Sequence, residues 1–133
     1  MERSFPRSMG SLADVFAFVD ESLAGLPVPP GPAYAVRMAL EELFTNAVKY
    51  GPRAAPDVQV SIEHRGHEIA VALTEFDVER FDIREAPAVD VDRPLDERVP
   101  GGLGIHLVRQ MVDRIEYEYS GRTGRTTLIK TLE

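Results

Sequence analysis

AYAVRMALEELFTNAVKY, residues 33–50, carries the most informative pattern of the chain. Apolar residues recur in it every three or four positions, as on one face of an α-helix, at Val36, Leu40, Leu43, Phe44 and Ala47. Gly51-Pro52 follows directly, and a glycine followed by a proline is a common end of a helix. The stretch therefore predicts an amphipathic helix whose apolar stripe packs on a core.

The residues before this helix predict a strand and another helix. Residues 2–6 suit a short strand. From Ser11, a plausible N-cap, a helical spacing of apolar residues runs to about Gly25, at Leu12, Val15, Phe16, Val19 and Leu23. The segment LPVPPGP, residues 26–32, has prolines too dense for regular structure, so we predict a break there.

The residues after this helix predict a hairpin, an irregular loop, a third helix and two closing strands. Alternating apolar residues, at Val58, Val60 and Ile62 and then at Ile69, Val71 and Leu73, flank a turn at Arg65-Gly66-His67. Residues 83–100 have three prolines and no period. A helix then follows Gly101-Gly102, with Ile105, Val108, Met111, Val112 and Ile115 on one stripe. Strands over about 115–120 and 125–132 complete the chain.

This order, β-α-α-β-β-loop-α-β-β, predicts an α/β (α+β) fold built as a two-layer sandwich. Three helices would cover one face of a mixed, mostly antiparallel sheet. We expect residues 1–133 to form a single domain.

Composition narrows the classes of function. The net charge is −7 with dispersed basic residues, which argues against direct nucleic-acid binding. The absence of cysteine excludes disulfides, thiolate metal sites and cysteine nucleophiles. No stretch is long and apolar enough for a membrane span or a signal peptide, so a cytoplasmic location with no membrane association is expected.

Glu42 and Asn46 stand one above the other on the flank of the helix over 33–50, because they are four residues apart. A carboxylate there can accept a proton from an attacking hydroxyl or water, and an amide oxygen is a hard ligand for Mg²⁺. The alternative is that both are solvated polar residues beside the core.

Pro100-Gly101-Gly102-Leu103-Gly104-Ile105 opens the third helix. Glycines permit close approach of the backbone to a ligand, and the free N–H groups of a first helical turn attract a phosphate chain. The alternative is a flexible loop that ends at a helix start.

Together, these two features resemble the GHKL ATPase superfamily. LEELFTNAVKYG, residues 40–51, resembles its N-box, and PGGLGIHLV, residues 100–108, resembles its second glycine box. With residues 109–117 added, the chain resembles the small anti-sigma-factor serine kinases throughout its length. This resemblance implies the Bergerat-type ATP-binding fold, with residues 83–100 as the ATP lid.

The resemblance also implies site roles. Glu42 is the expected general base, and Asn46 the expected ligand of Mg²⁺ bound with ATP. The phosphates are expected to contact Gly101, Gly102, Leu103 and Gly104. Lys49 could reach a phosphate or be a solvated lysine, and Thr126 matches a threonine near adenine or is an ordinary strand residue.

One motif departs from the family. Relatives carry D-x-G-x-x-F-D after the strand that ends near Thr74, where the aspartate accepts from the adenine amino group. Aligned on Phe81-Asp82, this chain has Phe76 at the place of that aspartate, with Asp77 one residue out of register. A small bulge would bring Asp77 to the base; otherwise Glu75 or a water must read the adenine.

The resemblance therefore predicts a serine/threonine protein kinase that phosphorylates a STAS-domain anti-anti-sigma protein and binds a sigma factor in a partner-switching pathway. Relatives are usually homodimers. The alternative is a non-catalytic, nucleotide-sensing or nucleotide-independent partner-binding regulator with altered adenine recognition. A free-standing histidine-kinase-like catalytic domain and a small-molecule ATPase are further alternatives.

Overall fold

The apolar stripe of residues 33–50 is buried against the middle of a five-stranded sheet. The structure is a computed structural model, and it describes residues 1–51, 56–85 and 102–132. The helices are α1 (Leu12–Ala24), α2 (Pro30–Tyr50) and α3 (Gly102–Met111). The strands are β1 (Glu2–Phe5), β2 (Val58–Arg65), β3 (Glu68–Glu75), β4 (Arg114–Ser120) and β5 (Thr123–Thr131). Short 3₁₀ turns cover Met9–Ser11 and Ile83–Glu85.

The sheet has the strand order β1-β2-β3-β5-β4, and each neighbouring pair is antiparallel. The predicted two-layer fold is confirmed. The sheet was expected to be mixed and mostly antiparallel, and in the described part of the chain every neighbouring pair of strands is antiparallel. Hairpins join β2 to β3 and β4 to β5. The connection from β3 to β4 contains α3, and β4 forms an edge of the sheet. The last strand, β5, lies between β3 and β4.

One hydrophobic core joins the helices to one face of the sheet. α2 packs on β3 and β5, α1 packs on β1 and β2, and α3 packs on α2. The predicted stripe of α2 is buried throughout, together with the inward residues Val60, Ile62, Ile69, Val71 and Leu128 of the sheet. A buried aliphatic or aromatic side chain contributes about 1.5–3 kcal/mol, so this layer contact dominates the stability of the fold.

Two predicted helix boundaries are wrong for identifiable reasons. α2 begins at Pro30, inside the segment 26–32 that was expected to be irregular. Proline is tolerated in the first helical turn because its missing N–H would have no partner there. α3 ends at Met111, so Ile115 belongs to β4 and not to the helical stripe.

A buried carboxylate closes the segment that follows β3. The side chain of Asp82 is 0% exposed and accepts from the Arg84 N–H at 2.9 Å and from the Arg84 guanidinium at 2.7–3.1 Å. These hydrogen bonds hold the pKa of Asp82 below its ordinary value, while burial opposes the shift. The same turn is held to α3, because the guanidinium of Arg109 donates to the carbonyl of Ile83.

No helix within the three described ranges combines the length and the apolarity needed to cross a bilayer.

We expect Asp82→Asn to lower the free energy of unfolding by roughly 1–2 kcal/mol near neutral pH, because charge-assisted hydrogen bonds become weaker neutral ones. A pKa lowered in the folded state adds stability above the ordinary value of 3.8, and this stability is lost as the pH falls through the lowered pKa. The difference between wild type and variant should therefore shrink in acid. Urea unfolding from about pH 7 to about pH 3 measures it.

Asp77→Asn is the matched control, because that carboxylate is 69% exposed and its ion pair with Arg122 is solvated. Its cost should stay below about 0.5 kcal/mol. A loss for Asp82→Asn that does not change with pH would contradict the assigned role of its charge.

Candidate functional site

A cavity of about 560 Å³ opens between the C-terminal half of α2 and the ends of the central strands. Its volume is within the range of small-molecule sites. The segment after β3 and the β4–β5 turn complete its rim. The lining residues are Leu43, Asn46, Ala47, Gly51, Leu73, Glu75, Val78, Glu79, Arg80, Phe81, Ile83, Arg122 and Thr126.

Asn46 lies on the cavity wall, and Glu42 lies one helical turn before it. Both side chains are half-buried. The Glu42 carboxylate packs against the beginning of α3, where a Cβ atom added at Gly104 would lie only 2.7 Å from Oε2 of Glu42. The structure therefore brings the predicted acid and the predicted glycine-rich helix start close together.

The N-terminal turn of α3 supplies the polarity for an anion. Gly102 and Leu103 begin the helix, and Gly104 follows in the same turn. Backbone N–H groups of a first turn have no partner within the helix and form its positive end. Gly101 and residues 86–100 of the predicted lid lie outside the described residues.

The floor of the cavity is formed by paired residues of β3 and β5. Leu73 is opposite Thr126, and both face the helices. Thr126 is buried and lines the cavity at the position that the resemblance assigns to the base. Lys49, by contrast, is exposed on α2 and is not part of the cavity wall.

The carboxylate that reaches the cavity is Glu75 and not Asp77. Glu75 ends β3 on the same face as Leu73, because side chains alternate along a strand. Asp77 has a φ of 55°, and its exposed carboxylate accepts from Nε of Arg122 at 2.9 Å. In this conformation Asp77 is not among the residues that line the cavity. The prediction that Asp77 contacts ATP is therefore not supported by its position.

Arg7 is a residue of the site that the sequence pattern did not reveal. Its side chain is 4% exposed, and its Nη1 donates to the carbonyl of Ala47 at 2.7 Å and to Oε1 of Glu75 at 3.0 Å. A Cβ atom at Gly51 would lie 2.3 Å from that Nη1, so the glycine makes room for the guanidinium. No local motif marks Arg7, because its partners are 40 and 68 residues away in sequence.

Two tyrosines of β4 support the opposite wall. The Tyr119 hydroxyl donates to the carbonyl of Val78 at 2.7 Å, and the Phe81 N–H donates to the Tyr117 hydroxyl at 3.0 Å. A Cβ atom at Gly124 would lie 3.0 Å from the Tyr117 hydroxyl, so this glycine leaves space for the ring. Phe81 is thereby held at the cavity rim with its ring exposed.

The overall fold is similar to that of two solved structures. The crystal structure of the RsbU and RsbW domains of Rv1364c from Mycobacterium tuberculosis has a TM-score of 0.69 and 14% identity, over 99% of this chain and 32% of that one. The histidine kinase AdeS of Acinetobacter baumannii has a TM-score of 0.50 and 13% identity, over 100% of this chain and 68% of that one. The chain thus spans about a third of the Rv1364c structure.

A search of curated proteins found no match to the sequence. The model of the family described as histidine kinase-like ATPase domain matches residues 5–130. This match covers nearly the whole chain and includes α2, the cavity and α3. It agrees with the GHKL resemblance carried by residues 40–51 and 100–108. The chain belongs to the histidine kinase-like ATPase domain family.

Proposed function

We propose that this domain binds Mg²⁺-ATP in the cavity and transfers the γ-phosphoryl group to a serine of a STAS-domain antagonist. One observation carries the proposal: Glu42 and Asn46 stand one turn apart on α2, with the Glu42 carboxylate against Gly104 in the first turn of α3 and Asn46 on the cavity wall. The similarity to a structure containing an RsbW domain supports the anti-sigma-kinase class. Membership of the family supports ATP binding in general.

The residues present fit a nucleotide. The amide oxygen of Asn46 is a hard donor on the cavity wall, as Mg²⁺ requires. The N-terminal turn of α3 would bind the phosphates, and Leu73 and Thr126 would face the base. When bound, Mg²⁺ would neutralise charge on the phosphate oxygens.

Glu42 would act as the general base. Its half-buried carboxylate lies beside the helix start that binds the phosphates, so a serine hydroxyl approaching the γ-phosphate would come within its reach. The serine oxygen forms a bond to the γ-phosphorus, the bond between that phosphorus and the bridging oxygen breaks, and ADP leaves. The serine proton passes to Glu42.

A non-catalytic, nucleotide-sensing regulator is the second candidate. The altered segment after β3 favours it, because Asp77 is turned to solvent and Phe76 stands where relatives carry their aspartate. Such a regulator would not need Glu42 as a general base.

The biological setting of the proposal follows from the composition and from the resemblance. We infer that the domain acts in the cytoplasm, apart from membranes and nucleic acid, as a homodimer that also binds a sigma factor.

The first test is nucleotide binding by calorimetry. Wild type should bind ATP with Mg²⁺, and Asn46→Ala should weaken this by about ten- to a hundredfold, because a metal ligand on the cavity wall is lost. Gln59→Ala is the control, since this amide lies on β2 among residues of the opposite face of the sheet. Absence of heat from wild type at about millimolar ATP would contradict ATP binding.

The second test is phosphoryl transfer from radiolabelled ATP to candidate STAS-domain proteins. Glu42→Gln should reduce the rate by about 10²–10⁴-fold with little change in ATP affinity, because the proton acceptor is removed while the shape is kept. Glu41→Gln, the neighbouring half-buried glutamate, is the matched control and should retain the rate. Binding of ATP without transfer to any partner would favour the sensor, and equal rates for wild type and Glu42→Gln would exclude Glu42 as the base.

A further inference from the structure

Arg7 joins three parts of the cavity wall through one nitrogen. Its Nη1 donates both to the carbonyl of Ala47 on α2 and to Oε1 of Glu75 at the end of β3. The guanidinium also fills the space left by Gly51 after α2. Ala47, Gly51 and Glu75 all line the cavity, so Arg7 lies directly behind it.

Stabilisation of the fold does not explain why Arg7 is buried. Its Nε and Nη2 are buried and have no hydrogen-bond partner among the described residues. Unsatisfied donors on a buried charge oppose folding, and replacing a buried ion pair by apolar residues is often neutral or stabilising. The position of Glu75, its carboxylate partner, indicates a different role.

Glu75 is held so that one oxygen remains for a ligand. Oε1 is engaged by Arg7, whereas Oε2 accepts no hydrogen bond from the described residues. The side chain is 27% exposed and stands on the cavity wall beside Leu73, whose strand partner is Thr126. The pair therefore offers a single fixed acceptor on the cavity wall near the C-terminal end of α2.

We propose that Arg7 is a positioning residue that fixes Glu75 to accept the 6-amino group of an adenine nucleotide. The inference rests on the proposed function and adds the residues that select the base. A carboxylate oxygen accepts a hydrogen bond from an amino group and repels the 6-oxo group of guanine. Guanine could instead offer its N1–H and 2-amino donors to a carboxylate, but one of these bonds would have to share Oε1 with Nη1 of Arg7, which weakens the guanine contact.

Calorimetry with three nucleotides separates base selection from general damage. The ligands are ATP, GTP and purine riboside triphosphate, which lacks the 6-amino group, each with Mg²⁺. Wild type should bind ATP about ten- to a hundredfold more tightly than the other two. Arg7→Gln should bring the ratio of the affinity for ATP to the affinity for each other nucleotide to near one. Its affinity for purine riboside triphosphate should stay within about threefold of wild type. A purely structural role would weaken all three nucleotides alike and keep the ratio.

Three further variants complete the design. Arg3→Gln is the matched control, because Arg3 is exposed on β1 over the ring of Phe5, and it should keep the wild-type ratio. The double variant Arg7→Met/Glu75→Met removes both charges and should fold without preference for ATP. If Arg7→Gln does not fold, Arg7→Lys replaces it. We expect Arg7→Lys to lower the preference for ATP over the other two nucleotides by about threefold, because an ammonium lacks the planar guanidinium geometry.

The outcomes distinguish this inference from the proposed function. Tight ATP binding with a wild-type ratio in folded Arg7→Gln, or in folded Arg7→Lys, would overturn the role of Arg7. Equal affinities of wild type for ATP and purine riboside triphosphate would overturn base selection by Glu75 alone. Failure of wild type to bind any of the three nucleotides would overturn the proposed function, and this inference with it.

Discussion

The burial of the α2 stripe against β3 and β5 is the constraint on which the rest of the molecule depends. Phe44, Leu40 and Val36 are essentially inaccessible, and their burial fixes the rotation of the helix about its axis. Once that rotation is fixed, the flank with Glu42 and Asn46 can face only α3 and the cavity. The location of the candidate site is thus a consequence of the core, because the same helix supplies both.

The second constraint is the close approach of α2 and α3. A Cβ atom at Gly104 would lie only 2.7 Å from Oε2 of Glu42, so the glycine lets that carboxylate lie against the first turn of α3. The need is spatial, because the Gly104 position begins an ordinary helix and its φ is not positive. The contact therefore places an acid beside the positive end of a helix.

The sequence predicted what depends on local periodicity and missed what depends on contacts between distant segments. The buried faces of α2 and β2 follow from spacing alone. The roles of Glu42, Asn46 and Gly104 came from the resemblance to a family, and they stay predictions. The placement of β5 beside β3 and the start of α2 at Pro30 required the whole fold. Arg7 and Glu75 are 68 residues apart, so no local pattern could have paired them.

The identity of the inward carboxylate follows from backbone geometry. Strand pleat directs Glu75 to the helices, whereas the left-handed φ of Asp77 directs its carboxylate to Arg122 and solvent. A glutamate in place of a shorter aspartate has one more rotatable bond, and ordering such a side chain costs up to about 1.5–2 kcal/mol. The Arg7 contact restricts that freedom before any ligand arrives, so the base would meet an acceptor already in place.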